Sequence, residues 1–333
     1  MVTIEEIAKL SKCSVSTVSK ALNGYTDISE KTRKRVLKIA KELGYVPNAT
    51  AQSLVRKRSN TLGVVYEVEY GLMNLFFSSI LEAFRREAMQ RGYDILLLSN
   101  NTENGMDYLK HCRSKNVGGV LVVSAGSDAE AIQRLVESEI AVIRLDPEID
   151  VNNSIYSDSY YSIRNACRYL YDTGHRKIAF IQGDKQNFIG ATRLRGYLDF
   201  IKEKNLQPFF HEPINNTSYS MEEGYETMKE IIRFYGLPDG VVASSDLMAI
   251  GAMKYIQELG YSVPDHVSII GFDNLQLCEV VTPKLSSISQ DYNLIGRKAC
   301  EMLLDKIENN EQDLDPVVVD TKLIIRESVK NRL

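Results

Sequence analysis

Several features that define other classes of protein are missing from this sequence of 333 residues. It contains no run of about 18 apolar residues, and its first residues do not place a basic segment before an apolar one. Its five cysteines lie far apart, with no C-x-x-C pair and no histidine at a ligand spacing. We therefore predict a cytoplasmic protein with reduced thiols, without a membrane segment, a disulfide framework or a bound metal.

Short motifs typical of common enzymes are also absent. There is no G-x-G-x-x-G after a predicted strand, no G-x-x-x-x-G-K-[ST], no G-x-S-x-G and no H-E-x-x-H, and the four histidines are scattered. These absences disfavour dinucleotide-binding enzymes, P-loop enzymes, hydrolases and metallopeptidases. We predict that the protein is not an enzyme and that it has no catalytic residues and no cofactor.

Charge is distributed unevenly along the chain. Residues 1–60 contain twelve Lys/Arg and five Asp/Glu, a net charge of +7, so the other 273 residues carry −11 of the total of −4. A basic segment on an acidic body is typical of a protein in which only that segment meets a polyanion. The alternative is a basic surface that is merely solvated.

The first 46 residues predict three short helices. Thr3 to Glu6 forms a capping box for the first helix, Ser14 caps the second, and a third runs from Ser29 to Gly44. Two helices of about eight residues joined by about three residues form a helix-turn-helix, whose second helix enters a major groove. On that helix the outward side chains are polar, basic or small: Val15, Ser16, Ser19 and Lys20.

Residues 47–60 predict a hinge and linker. Asn48 is suited to cap a helix of about two turns, which is too short to be stable alone in water. The segment is therefore either a plain linker or a helix that forms only against a partner.

These segments resemble the headpiece and hinge of the lactose-repressor/galactose-repressor (LacI/GalR) family of bacterial transcription regulators. The matching runs, which cover residues 2–55, are T-I-x-E-I-A, S-V-S-T-V-S-K-A-L-N, T-R-K-R-V, L-G-Y-x-P-N and A-x-S-L. The resemblance implies that two hinge helices pair in the minor groove, where Leu54 wedges into a base step and bends the duplex. Lys12 departs from the family, which often has glycine there. The candidate DNA-binding residues are Thr3, Ser14, Val15, Ser16, Thr17, Ser19, Lys20, Asn23, Arg33, Tyr45, Asn48, Ala51, Leu54 and Arg56.

From Thr61 onward, apolar runs alternate with helical patterns, and the scheme restarts after Tyr156. Repeated β-α-β units predict parallel sheets covered by helices, with a ligand cleft between two halves. The predicted fold is therefore an N-terminal all-α helix-turn-helix headpiece (1–46), a hinge (47–60) and an α/β core (61–333). The core contains two doubly wound parallel-sheet subdomains, roughly 61–158 with 286–316, and 159–285 with 317–333.

The core resembles the sugar-binding core of the same family, which is similar to periplasmic binding proteins. Matching runs include N-L-F-F at 74–77, G-H-R-K-I-A at 174–179, R-L-R-G-Y at 193–197 and G-F-D-N at 271–274. The resemblance implies a cleft that closes on an effector, and the candidate effector-binding residues are Phe76, Phe77, Tyr161, Asn187, Arg193, Tyr219, Ser245, Asp246 and Asp273. Four of them have a structural alternative: core for Phe76, surface loop for Tyr219, helix cap for Asp273 and ion pair for Arg193.

Together these features predict a ligand-responsive transcription regulator that binds a palindromic operator in double-stranded DNA as a homodimer. The resemblance implies a repressor of carbohydrate-utilisation genes with a sugar or sugar phosphate as effector. An alternative is a regulator that responds to a non-sugar metabolite or to a protein co-regulator. A transport-type binding protein is disfavoured by the basic headpiece and by the lack of a signal peptide.

Overall fold

The computed structural model describes residues 2–45, 59–66, 74–98, 107–124, 129–145, 151–184, 188–211, 219–309 and 313–333. The chain divides into two compact units, Met1–Asn60 and Thr61–Leu333. We call them the headpiece and the core. Five residues with a predicted binding role lie outside the described residues: Asn48, Ala51, Leu54, Arg56 and Asn187.

The headpiece contains the three predicted helices, α1 (Ile4–Ser11), α2 (Val15–Leu22) and α3 (Glu30–Glu42). Each begins after a hydroxyl side chain that accepts a hydrogen bond from the first turn, which explains why the helices start there. Their apolar faces meet in a small cluster of buried residues: Ile7, Ala8, Val18, Ala21, Val36 and Ala40.

A left-handed residue ends α1. Lys12 has a φ of 51°, and its amide donates hydrogen bonds to carbonyls in the last turn of α1. Glycine adopts this conformation without a steric penalty, whereas a residue with a Cβ atom is strained there. The departure from the family at this position therefore has a structural cost.

The first subdomain of the core has a parallel four-stranded sheet in the order β2-β1-β3-β4. Its elements are β1 (Thr61–Tyr66), α4 (Leu75–Gln90), β2 (Asp94–Leu98), α5 (Tyr108–Lys115), β3 (Gly119–Ser124), α6 (Ala129–Val136) and β4 (Ala141–Arg144). Apolar strand residues such as Leu62, Val64 and Leu121 are fully buried under the helices, as expected of a parallel sheet covered on both faces.

The second subdomain has a six-stranded sheet in the order β12-β10-β9-β8-β6-β7, parallel except for its edge strand β12. Its elements are α7 (Ser159–Asp172), β6 (Ile178–Ile181), α8 (Phe188–Glu203), β7 (Phe209–His211), α9 (Met221–Tyr235), β8 (Gly240–Ala243), α10 (Asp246–Glu258), β9 (Ser268–Asp273), a 3-10 helix (Gln276–Glu279), β10 (Ser286–Ser289) and β12 (Lys322–Ile324). The predicted headpiece and the two doubly wound subdomains are thus confirmed.

Two later segments return to the first subdomain. Helix α11 (Tyr292–Asn309) packs on α4 so closely that a Cβ atom at Gly296 would lie 2.4 Å from the backbone oxygen of Ile80. Strand β11 (Val317–Val319) pairs with β5 (Ile155–Ser157) in a separate parallel ladder. The chain therefore crosses between the subdomains several times.

The predicted subdomain boundaries are wrong at two places. Strand β10 pairs with β9 and buries Ile288 in the second subdomain, so residues 286–289 do not belong with the first. Strand β11 pairs with β5 and buries Val319 in the first core, so residues 317–319 do not belong with the second. Both strands are only three or four residues long, and neither sequence pattern indicates which sheet the strand joins.

Candidate functional site

The outward face of α2 is the candidate DNA-reading surface. Ser14 caps the helix, with its Oγ accepting from the Thr17 amide at 3.1 Å, while Val18 and Ala21 are buried against the other helices. Val15, Ser16 and Lys20 are exposed, and Ser19 is half-buried. This outward face is short and polar, and the ammonium group of Lys20 lies at its edge. Such a surface suits hydrogen bonding to base edges.

Lys20 has an acidic neighbour that the sequence reasoning did not identify. Its Nζ lies 2.5 Å from Oδ2 of Asp27, in the loop before α3, and both side chains are about half exposed. The pair raises the pKa of Lys20 and lowers that of Asp27, mainly through the shared hydrogen bond. Exposed pairs contribute little stability, so a phosphate or a base acceptor can displace Asp27.

Other predicted DNA-binding residues have partners within the headpiece. Thr3 forms the capping box with Glu6, and Asn23 donates from Nδ2 to the Ser19 carbonyl at 2.9 Å. The Arg33 guanidinium donates to the Tyr25 carbonyl, and Tyr45 packs against the apolar cluster. These contacts give each of the four residues a structural role within the headpiece. That the same residues also contact DNA stays a prediction.

The second candidate site is a cavity in the core, between the two subdomains. The first subdomain contributes mostly apolar side chains and the second mostly polar ones. The lining residues are Asn74, Phe76, Phe77, Ile80, Leu145, Ile155, Tyr156, Ser157 and Ile295 on one side, Ser159, Ile189, Arg193, Tyr219, Ser245 and Asp273 on the other, and Gln290 after β10.

Arg193 projects from α8 and is 6% exposed. Its Nη1 donates to the Ser244 carbonyl at 2.7 Å, its Nε donates to Oγ of Ser159 at 3.3 Å, and its guanidinium lies 3.7 Å from the centre of the Phe272 ring. These contacts fix the guanidinium beside the cavity, where it can form a bidentate bond with an anionic or hydroxyl-bearing ligand.

Asp273 ends β9 with a φ of 108°, a conformation that L residues rarely adopt. Its Oδ1 accepts from Nε2 of Gln290 at 2.6 Å. Burial raises the pKa of Asp273 to about 8, while the charge of Arg193 opposes the rise. The enclosed carboxyl group is therefore harder to ionise than an exposed aspartate.

Tyr219 lies over a glycine on the same side of the cavity. A Cβ atom at Gly183 would approach the Tyr219 ring to 2.3 Å, so any other residue at this position would push the ring out of its place. The Tyr219 hydroxyl accepts from the Asp184 amide at 3.3 Å, and its backbone oxygen accepts from the Ser245 hydroxyl at 3.1 Å. This tyrosine is thereby held at the cavity wall.

The structure brings six of the predicted effector residues to one cavity: Phe76, Phe77, Arg193, Tyr219, Ser245 and Asp273. The sequence patterns did not identify Ser157, Ser159 or Gln290 as site residues. They also missed the isoleucine and leucine side chains that the first subdomain contributes to the cavity. The apolar ones have the same sequence pattern as core residues, so no local signal separates them.

Two predicted effector residues do not line the cavity. Tyr161 is 61% exposed, because it lies two positions after Ser159 on α7 and so points to the opposite face of that helix. Asp246 is fully buried below the cavity, where it accepts from the Leu275 amide at 2.7 Å and from the Ser287 hydroxyl at 2.5 Å. Asp246 therefore joins α10 to the strand ends, and neither residue is retained in the site.

No group of three or more His, Cys, Asp or Glu side chains in the described part of the chain is arranged to hold a metal ion. None of the described helices combines the length and apolar character that crossing a membrane requires.

Family models match both units of the chain. The model for bacterial regulatory proteins of the lacI family matches residues 3–48, and that for the periplasmic binding protein-like domain matches residues 167–329. The first match covers all three headpiece helices, and the second covers most of the second subdomain.

Relatives match over almost the whole length. The chain is 31% identical to the probable HTH-type transcriptional repressor ExuR of Bacillus subtilis (strain 168), over 99% of both chains. It is 32% identical to the HTH-type transcriptional repressor PurR of Escherichia coli O139:H28, over 99% of this chain and 97% of the relative.

Solved structures share the fold. The lac repressor dimer bound to operator and the anti-inducer ONPF superimposes with a TM-score of 0.83 at 24% identity, over 98% of both chains. The transcriptional regulator CelR in complex with cellobiose superimposes with a TM-score of 0.70 at 28% identity, over 98% of this chain and 100% of the other.

A helix-turn-helix headpiece followed by a periplasmic-binding-protein-like core defines a class of ligand-responsive, DNA-binding transcription regulators. With relatives above 30% identity along its full length, the chain belongs to the LacI family of bacterial regulatory proteins.

Proposed function

We propose that this protein represses genes by binding a near-palindromic operator as a homodimer, and that a small molecule in the core cavity changes this binding. The observation that carries the proposal is the outward face of α2, which is polar and basic and lies in a segment of net charge +7. One headpiece offers a single reading helix of eight residues. Two-fold symmetry doubles its contacts and accounts for a palindromic site.

The cavity in the core is the site at which a ligand would regulate operator binding. Its walls come from both subdomains, and Gln290 lies on the crossover segment between β10 and α11. A ligand that contacts both walls favours the arrangement of the subdomains to which it binds better, and operator affinity changes with that arrangement. Phosphate contacts from Lys and Arg supply affinity, whereas Val15, Ser16, Ser19 and Lys20 supply base choice.

The regulated genes in this proposal are those for carbohydrate use, and the protein acts in the cytoplasm without catalysis. The complex of CelR with cellobiose supports a carbohydrate effector, since that regulator shares the fold over the full length at 28% identity. The repressor names of the relatives support repression as the output.

Operator binding is tested with full-length protein on a DNA site selected from a random library and followed by fluorescence anisotropy. We expect Lys20→Ala to weaken binding to the selected site by about tenfold, as expected for one lost charged hydrogen bond. Lys38→Ala is the matched control, because Lys38 is an exposed lysine of α3 that pairs with Glu42 rather than with a residue of α2. Equal losses in both variants would mean that α2 does not read the site.

The link to the cavity is tested by ligand titration of the operator complex. We expect Arg193→Ala to abolish the response to the ligand while operator binding persists. Tyr161→Ala is the control, because Tyr161 is exposed and lies outside the cavity. A normal response in Arg193→Ala would place the regulatory site elsewhere.

A further inference from the structure

Asp27 differs from the other acidic residues of the headpiece. Four of the five lie on α1 or α3, either in the first turn of a helix or in an ion pair within one helix: Glu5, Glu6, Glu30 and Glu42. Asp27 lies in the loop between α2 and α3 and pairs instead with Lys20, on the outward face of α2. An acid beside a DNA-reading surface weakens the attraction to phosphates, so charge alone does not account for its position.

The loop that carries Asp27 is held against the helices on either side of it. The Tyr25 amide donates to the Lys20 carbonyl at 3.1 Å, and the Arg33 guanidinium donates to the Tyr25 carbonyl. After Asp27, Ile28 packs against the apolar cluster of the headpiece. The chain is thereby anchored on both sides of Asp27, while the Asp27 side chain is 54% exposed. Its carboxylate is presented to solvent at a fixed place next to the reading helix.

The Lys20–Asp27 pair presents hydrogen-bond donors and an acceptor side by side. The Lys20 Nζ lies 2.5 Å from the Asp27 Oδ2, and the shared hydrogen bond lowers the pKa of Asp27, so its carboxylate is ionised and only accepts. The ammonium has two further N–H groups to donate, so the pair need not break on DNA. Because its two charges cancel, the intact pair adds little to the attraction for phosphates and is suited to reading bases.

This arrangement matches the major-groove edge of a G·C pair. Guanine offers two acceptors, N7 and O6, and the cytosine paired with it offers a donor, the N4 amino group. The remaining N–H groups of Lys20 fit the two acceptors, and the carboxylate of Asp27 fits the donor. An A·T pair fits less well, because adenine offers one acceptor to the ammonium rather than two. A carboxylate that faces an acceptor is repelled, so the reversed C·G pair is penalised.

We propose that Asp27 is a specificity-determining residue, which reads the cytosine of a G·C pair in each half of the operator while Lys20 reads the guanine. This inference rests on the proposed function, and it adds a base contact from outside α2 to those predicted for that helix. Asp27 accepts a hydrogen bond from cytosine N4 in the operator and repels the phosphates and base acceptors of other sequences. It therefore raises selectivity at a cost in general affinity for DNA.

Modified bases test the two contacts separately. N4-methylcytosine still pairs with guanine but replaces the N4 hydrogen that faces the groove, and 7-deazaguanine lacks the N7 acceptor. Each is placed at every G·C pair in one half of the operator selected from a random library, and the full-length protein is titrated by fluorescence anisotropy at fixed salt. We expect one G·C pair at which either base weakens binding by about tenfold, as for one lost charged hydrogen bond. A half-site in which no G·C pair responds to both bases would overturn the proposal.

Variants then assign each contact to its residue. At that G·C pair Asp27→Ala should lose less than about twofold in affinity on N4-methylcytosine, because its contact is already gone, and it should stay sensitive to 7-deazaguanine. Lys20→Ala should show the reverse pattern. Hydrogen exchange of α1 to α3 checks that the headpiece stays folded. If Asp27→Ala remained as sensitive to N4-methylcytosine as the wild type, Asp27 would not contact the cytosine and the proposal would be wrong.

Glu42→Ala is the matched control, because Glu42 is also an exposed acid that pairs with a lysine, Lys38 of α3. Each variant removes one negative charge from the headpiece, so both should bind random-sequence DNA more tightly than the wild type. Asp27→Ala alone should lower the ratio of affinities for the operator and for random-sequence DNA, by about tenfold. An equal ratio in the two variants overturns the proposal. Failure of the wild type to bind any selected operator refutes the proposed function, whereas operator binding that tolerates both modified bases refutes only the role of Asp27.

Discussion

The headpiece and the core hold their polar residues in opposite ways. In the headpiece the partners are close in sequence: Ser14 with Thr17, Ser19 with Asn23, and Lys20 with Asp27. In the core the partners are 51 residues apart for Arg193 and Ser244, and 17 apart for Asp273 and Gln290. The headpiece surface is therefore set by local structure, and the cavity is set by the order of the strands.

The charged side chains of the headpiece and of the core also differ in their exposure to solvent. Lys20 and Asp27 are exposed ions that water and salt screen, whereas Arg193 and Asp273 are buried, where screening is weak. Changes in ionic strength should act on the headpiece, and changes in protonation should act on the core. The following predictions test this division.

Salt should produce the largest difference. Binding that neutralises six to ten phosphates weakens by about 10³ to 10⁵ between 50 and 200 mM salt, because counterions are released from the DNA. We expect operator affinity to fall by at least 10³ over this range, and the affinity of a cavity ligand found by calorimetry to change by less than tenfold. Equal salt dependence of the two affinities would contradict the proposed difference between the exposed charges of the headpiece and the buried charges of the core.

A cavity-forming substitution should separate the folding of the two units. Ile7 is fully buried in the headpiece, and Ile→Ala at such a site costs about 2–5 kcal/mol. A unit of this size has few kcal/mol to lose, so Ile7→Ala should abolish operator binding. Calorimetric melting of the core should be unchanged, and a lower core melting temperature would show that the units fold together.

Raising the pH should weaken the core alone. Burial raises the pKa of Asp273 to about 8, whereas an exposed aspartate in the unfolded chain has a pKa near 4. Stability is therefore lost as the pH rises through this interval, by about 1 kcal/mol per pH unit. Between pH 6.5 and 8 the melting temperature should fall more steeply in the wild type than in Asp273→Asn.

Asp265→Asn provides the control for this pH dependence. Asp265 is exposed and pairs with Lys330, which lowers its pKa, so it titrates far below the tested range. We expect this variant to follow the wild-type curve. A flat wild-type curve would mean that Asp273 is ionised in the free protein.

The smallest effect concerns the end of α1. Lys12→Gly removes the Cβ atom from a residue with a φ of 51°, so the headpiece should become more stable by about 1 kcal/mol. Hydrogen exchange of α1 to α3 in the full-length protein measures it. Lys9→Gly, inside the same helix, should destabilise the headpiece instead, because glycine is unfavourable there.

Local patterns explain what the sequence could predict. Caps at Thr3, Ser14 and Ser29 and the apolar spacing after them fix the headpiece helices within a few residues. The cavity depends on which strand ends meet, and the resemblance to a family located Arg193 and Asp273 there. Neither periodicity nor composition distinguishes Ile155 or Ile295, which line the cavity, from ordinary core residues.

The path of the chain through the core affects the order in which a growing polypeptide can fold. Every described contact of the headpiece cluster is made within residues 2–45, so this unit can form soon after those residues leave the ribosome. The first subdomain waits for α11 and β11, and the second waits for β12, all of which are synthesised after residue 290. A nascent chain thus has a folded reading helix before it has a complete cavity, and it gains control by a ligand only late in its synthesis.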